Sequence, residues 1–210
     1  LREPFRLKSY YMGLVDSEGH VDFYDGKVRI VDPEGKEFAS FEPDQYLDHV
    51  AEHVEPWSYA KFPYLRALGW KNFSEDSVYR VGPLARFNVS KGYDTKLAQE
   101  AREKLLGEIG EFPVHFTQAS HWVRLIECLH AAEKILLLLE GLREGPHLSL
   151  EGTPKGEGVG IVEAPRGTLI HHYKANAELV AEEVNVITPT AMNNAAICSE
   201  LGKVARHYIR

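Results

Sequence analysis

Arg166 is the residue with the most chemistry to offer. It stands between Pro165 and Gly167, with Glu163 three positions before it and His171 five after. A guanidinium is a permanently charged fork of N–H donors, and proline and glycine flank it where a backbone turns. Further on, Pro189-Thr190 opens an apolar-periodic run, so the Thr190 hydroxyl sits at a helix start. Two β-rich segments, roughly 161–174 and 179–188, separate these residues. Paired around a turn near Asn176 and Ala177, they set Arg166 opposite about Ile187 and bring Thr190 to the same hairpin mouth. Free N–H groups at the helix start favour anions as well. Such a corner suits an electron-rich ligand. A surface Arg and a helix-capping Thr would give the same pattern without a ligand.

A second constellation competes with it. His49-Val50-Ala51-Glu52-His53 has the H-x-x-E-H spacing of inverted zinc peptidases. On a helix the two histidines share one face and could hold one zinc ion, with Glu52 as general base and Glu127 as a third ligand. Gly158-Val159-Gly160 suggests a dinucleotide loop, but Glu163 stands where the last glycine is needed. The only cysteines, Cys128 and Cys198, lack Cys-x-x-Cys spacing and read as small buried apolar side chains in a reducing cytoplasm.

The elements that must position these groups follow from pattern and punctuation. Residues 1–42 read as an antiparallel β-meander, with alternation at Tyr10, Met12, Leu14, then Val21, Phe23, then Val28, Ile30. Residues 43–160 read as a helical body. A helix from Pro43 to before Pro56 carries Tyr46, Val50 and Val54 on one face. The aromatic-rich stretch 56–92 reads as an ordered loop. Asp94 or Thr95 caps a helix ending near Gly110. Another runs from Thr117 to Leu142, with Trp122, Leu125, Ile126, Leu129, Ala132, Ile135, Leu136 and Leu139 as its apolar face, stopped by Gly145-Pro146. Residues 161–210 hold the hairpin and a last helix. The fold class is α+β, in one continuous body.

Composition sets outer limits. The 210 residues are 44% hydrophobic and 26% charged, ordinary for a globular chain with a sizeable core. A net charge of −7 gives a nucleic-acid partner no electrostatic support. The longest aliphatic run, Ile135 to Leu139, is too short to span a bilayer, so no membrane role is expected. The chain opens Leu-Arg-Glu-Pro and closes within a helix-like stretch, so both ends read as cuts in a longer chain.

The segment Glu163-Ala164-Pro165-Arg166-Gly167-Thr168-Leu169-Ile170-His171 closely resembles the EAPRGxLxH signature of nickel–iron hydrogenase large subunits. Val186-Ile187-Thr188-Pro189-Thr190-Ala191-Met192-Asn193-Asn194 looks like that family's second active-site segment. Asp22 to Gly26, His53 to Tyr64, Gly82 to Asn88 and Arg124 to Glu127 resemble its cytoplasmic branch. That branch couples dihydrogen to a soluble carrier: a nicotinamide, a deazaflavin or a heterodisulfide-reducing partner. The resemblance implies a centre of nickel bridged by cysteine sulfurs to an iron with cyanide and carbon monoxide ligands. Arg166 is similar to the arginine over the open bridging site, which hydrogen-bonds one cyanide. Thr190 matches the hydroxyl that donates to the other, and the backbone at Pro165 and Pro189 lines the pocket. Arg166 is also the family's candidate base, although its high pKa favours an electrostatic role. Glu163, Gly167, His171 and Asn193 are supporting residues: Glu163 and His171 hold Arg166 and the hairpin by an ion pair or hydrogen bonds, and Asn193 caps or cross-links the helix.

The family's four cysteine ligands lie in two Cys-x-x-Cys motifs near the ends of the complete large chain, and neither occurs in residues 1–210. The resemblance therefore implies a piece of a cytoplasmic large subunit that binds no nickel–iron centre and is inactive alone. Its partners would be two further subunits, an iron–sulfur small one and an electron-carrier one. A zinc hydrolase or a non-catalytic remnant used for binding or assembly are the alternatives.

Overall fold

A computed structural model describes residues 3–142 and 155–209 of the chain. β1 (Tyr10–Val15), β2 (Lys27–Val31) and β3 (Glu37–Phe41) form the expected antiparallel meander, with Met12 facing Ile30 and Val28 facing Phe41. Val21 and Phe23 do not form a strand of it. Asp22 accepts the backbone N–H groups of Tyr24 (2.7 Å) and Asp25 (3.0 Å), a local turn that diverts the chain after the single bridge between Val15 and Val21.

The helix expected over 43–55 is absent. A 3-10 turn (Pro43–Gln45) leads into α1 (Tyr46–His49), barely one turn long. Then β4 (Val50–Val54) pairs antiparallel with β5 (Lys61–Leu65), which falls in the stretch expected as loop. The reason lies in the period. Positions 46, 50 and 54 fit a helix face, yet an interval of four also satisfies the two-residue repeat of a strand. β6 (Tyr79–Arg80) lies parallel to β1 and completes a sheet of order β3-β2-β1-β6. So the 43–160 span is not simply a helical body.

α2 (Pro83–Val89) is buried along its whole length. It crosses β1 at Gly13, where a Cβ would meet the Arg86 side chain at 3.1 Å. α3 (Lys96–Ile109) starts after Thr95 and ends at a left-handed Gly110, as expected. α4 (Ala119–Gly141) occupies the expected span but presents another face. Ala119, Val123, Ile126, Glu127 and His130 are buried, and of the expected apolar face only Ile126 is. Gly145-Pro146 lies outside the described residues. β7 (Glu157–Ala164), β8 (Gly167–Ala175) and β9 (Ala181–Ile187) make an antiparallel sheet in that order, and α5 (Pro189–Tyr208) closes the chain.

β1 has core on both sides. Tyr11 and Val15 join a cluster with Phe87, Leu105, Val123 and Ile126 from the helices. Met12 and Leu14 join another with Tyr46, Leu65, Ile161, Ile170, Ile187 and Met192. The second cluster draws on the spans 1–42, 43–160 and 161–210 alike, so they form one packed body. No described helix is long and apolar enough to cross a membrane.

Candidate functional site

The turn that carries Arg166 is tighter than the sequence reading placed it. The segment expected as one strand, 161–174, breaks at Pro165-Arg166. Ala164 pairs with Gly167, so these two residues alone link β7 to β8. β8 and β9 do pair beyond Asn176, but Ile170 rather than Arg166 faces Ile187. Arg166 is thus the tip of a hairpin, not a strand residue. Gly167 holds φ at 131°, a region that side chains disfavour. An added Cβ there would fall 2.5 Å from Val81 Cγ2 and 2.6 Å from the Gly82 nitrogen. One at Gly82 would fall 2.8 Å from the Arg166 carbonyl. The two glycines therefore let the hairpin tip seat directly on the backbone leading into α2.

Thr190 approaches from α5. It stands one position inside the helix, and Thr188 provides the cap, its hydroxyl accepting from the Ala191 N–H at 3.4 Å. Pro189 has no N–H to offer and is buried. Arg166 and Thr190 line one open cavity of about 400 Å³, with Arg80, Arg124, Ser120 and Glu200 among the other lining groups. Pro165 and Pro189 do not line it. Pro165 faces a second cavity of about 260 Å³ on the other side of the turn, beside Phe23, Arg86 and Cys128.

Glu163 and His171 hold partners other than Arg166. Glu163 does not pair with Arg166. Its side chain is fully buried, accepting from Arg86 Nη1 (2.6 Å), the Thr168 hydroxyl (2.7 Å) and the Leu14 N–H (3.1 Å). Arg86 is itself gripped on its other edge by Glu127, through Nε–Oε1 (2.7 Å) and Nη2–Oε2 (2.6 Å), and its Nη1 also donates to the Ala164 carbonyl (3.1 Å). Burial pushes the Glu163 carboxyl up, against the Arg86 charge that lowers it. Burial alone would lower Arg86, but Glu127 and Glu163 hold its guanidinium above the ordinary value. His171 is hydrogen-bonded to Tyr173 (2.8 Å) and makes no bond to Arg166. Asn193 cross-links α5 to the chain just after β6, accepting from the Val81 N–H (3.0 Å) and donating to its carbonyl (3.2 Å).

Arg80 lines the cavity but is spent internally on the Ser9, Thr117 and Tyr11 hydroxyls and the Leu7 carbonyl. Arg124 and Arg166 make no ion pair among the described residues, so two guanidinium groups of the wall keep donors for a ligand, beside the Glu200 carboxylate. Sequence reasoning did not single out Arg86, Arg80 or Arg124 as site residues. Two of them sit in stretches it did pick out, Gly82 to Asn88 and Arg124 to Glu127, but nothing in the spacing marks a buried ionic triad.

The zinc reading fails on geometry. His49 ends α1, stacked on Phe41 with ring centroids 4.0 Å apart. Glu52 and His53 are neighbours on β4, facing opposite ways. Glu52 pairs with Lys61, and His53 bonds Glu55 while stacking on Trp70. Glu127, offered as a third ligand, belongs to Arg86. No group of three or more His, Cys, Asp or Glu side chains is placed for a metal among the described residues. The thiols are not ligand pairs either. Cys198 is half-buried against the Ala195–Ala196 cluster, while Cys128 is exposed on α4, contrary to the buried expectation. Among the described residues no side-chain cluster is placed to ligate nickel, and the cavity wall sets its hydrogen-bond donors beside the Glu200 carboxylate.

Over nearly its whole length the fold is that of a [NiFe]-hydrogenase chain. The family model described as nickel-dependent hydrogenase matches residues 17–204, and the chain belongs to that family. The structure is similar to an NAD+-reducing [NiFe]-hydrogenase in the H2-reduced state, with a TM-score of 0.85 and 37% identity, over 97% of this chain and 45% of that one. Among curated relatives, an iron-sulfur subunit of the F420-non-reducing hydrogenase of Archaeoglobus profundus is 43% identical over 98% of this chain and 43% of its own length. The beta subunit of NAD-reducing hydrogenase HoxS from Cupriavidus necator is 42% identical over 94% of this chain and 41% of its own. The chain thus spans less than half the length of these relatives.

Proposed function

We propose that this chain forms the non-ligating wall over the nickel–iron centre of a hydrogenase that oxidises or produces dihydrogen with a soluble electron carrier. The observation that carries this reading is the meeting of Arg166 and Thr190, from two separate elements, at one cavity. The centre supplies the splitting of dihydrogen. The chain's own residues supply charge and hydrogen bonds around it. Cyanide on iron is an anionic acceptor out of water, and it needs a charged or hydroxyl donor. The Arg166 guanidinium fills that role as a fixed cation, and its resistance to deprotonation makes it a stabiliser rather than a base. Thr190 supplies the second donor. The thiolate ligands come from outside these residues. Two further subunits, one holding iron–sulfur clusters and one the carrier site, complete the assembly in the cytoplasm. Support comes from the NAD-reducing relative, whose name records both a carrier and a subunit role.

The test uses the assembled hydrogenase. Arg166→Lys keeps the charge but loses the fork, and Thr190→Val loses the hydroxyl. Each should keep its nickel, shift the infrared bands of the iron-bound diatomics and slow dihydrogen oxidation, by about 100-fold for the arginine. Unmoved bands with normal turnover in Arg166→Lys would overturn the reading.

A further inference from the structure

Arg166 makes no ion pair among the described residues, so its direction is set by the backbone it stands on. That backbone is tied down by a group the sequence did not reveal. We propose that Arg86 is a positioning residue for Arg166, acting with Glu127 through Glu163 and the Ala164 carbonyl; this rests on the role proposed for Arg166 above.

Three features carry the argument. First, Arg86 is almost fully buried, and both edges of its fork are used. One edge is bidentate to Glu127 on α4, the other binds Glu163 Oε2 and the Ala164 carbonyl. The two residues bound by the second edge directly precede Pro165-Arg166, so the guanidinium grips the hairpin at its last anchored point. Secondly, Glu163 shares its other oxygen between the Leu14 N–H of β1 and the Thr168 hydroxyl of β8. The tip is therefore referenced to β1, α2 and α4 together. Thirdly, Gly82 and Gly167 let the backbone entering α2 and the Val81 side chain seat directly on the tip, so a shift of α2 reaches Arg166. A buried charge network with every group satisfied is rigid. An Arg is suited to it because its planar fork fixes direction as well as distance, which a lysine cannot do. Glu127 fixes Arg86, and Glu163 transmits its position.

The experiment compares Arg86→Lys, Glu127→Gln, Arg166→Lys and the combination Arg86→Lys with Arg166→Lys, all in the assembled enzyme. Nickel content, kcat and KM for dihydrogen, and the infrared bands of the iron-bound diatomics are measured for each. Expected is full nickel content in Arg86→Lys and Glu127→Gln, with kcat lowered about tenfold to a hundredfold at unchanged KM. Their bands should move in the same direction as those of Arg166→Lys, and the combined variant should lose no more than Arg166→Lys alone. Losses that multiply in the combined variant, or bands that stay in place, overturn the proposal. So does loss of nickel from both Arg86→Lys and Glu127→Gln, which would make the triad a support of the fold only. If Arg166→Lys itself changes nothing, the reading of Arg166 falls instead, whatever Arg86→Lys does.

Discussion

At the scale of single residues, the site depends as much on what is missing at Gly167 as on what is present at Arg166. Gly167→Ala meets both a positive φ and hard contacts with Val81 and Gly82. It should cost about 1–3 kcal/mol or more, read from the urea midpoint. Gly158→Ala, with nothing within 4 Å of its Cβ, should stay within about 0.5 kcal/mol of the parent. A loss at Gly158 equal to that at Gly167 would refute the tight-seat explanation. The roles of Pro165, Arg166 and Gly167 as turn residues were legible because turn chemistry is local. The partner of Glu163 was not. Burying an arginine runs against the ordinary preference of that side chain, and Arg86 and Glu163 stand 77 positions apart with no spacing rule to link them. Arg166 was the nearest cation in sequence and was the wrong one.

Among the elements, α4 shows how a polar requirement can rotate a helix. Its apolar residues wrap so much of the surface that period alone does not choose a face. Glu127 and His130 decide it, because Arg86 needs the first and the Thr95 hydroxyl bonds the second at 2.8 Å. Val123 and Ile126 turn inward with them, and Leu136, Leu138 and Leu139 are left exposed. Ile126→Ala should therefore destabilise by about 2–5 kcal/mol in chemical denaturation. Leu138→Gln should move stability by no more than about 0.5 kcal/mol while reducing self-association seen by sedimentation. The reverse ranking would contradict the buried face described above. The α3 boundaries were readable because a cap and a glycine mark them. β4 was not, because its apolar interval serves helix and strand equally.

Over the whole molecule, two buried histidines tie stability to pH. Burial, and then the Arg80 charge, push His115 down to about 4, and its Nδ1 faces the Tyr11 hydroxyl at 2.7 Å. His130 is lowered as well, by burial foremost. In the unfolded chain each takes up its proton near pH ~6.5. Between about pH 6.5 and 4 the unfolded state thus binds more protons, and stability is lost as the pH falls. The urea midpoint should drop between about pH 6.5 and 5, and His115→Gln should flatten that slope; an unchanged slope would remove His115 from the account. The class of fold was foreseeable at this scale, and Arg166 and Thr190 line one cavity although the register differs from that expected. The site's seat was not foreseeable, because it is built across long separations. Ala164 and Gly167 close their turn with two residues between them, whereas the Glu163 carboxylate takes an amide hydrogen from Leu14, 149 positions earlier. Closing the longer loop carries the greater entropic cost. A partly folded chain can therefore form its cationic fingertip before the socket that aims it has closed.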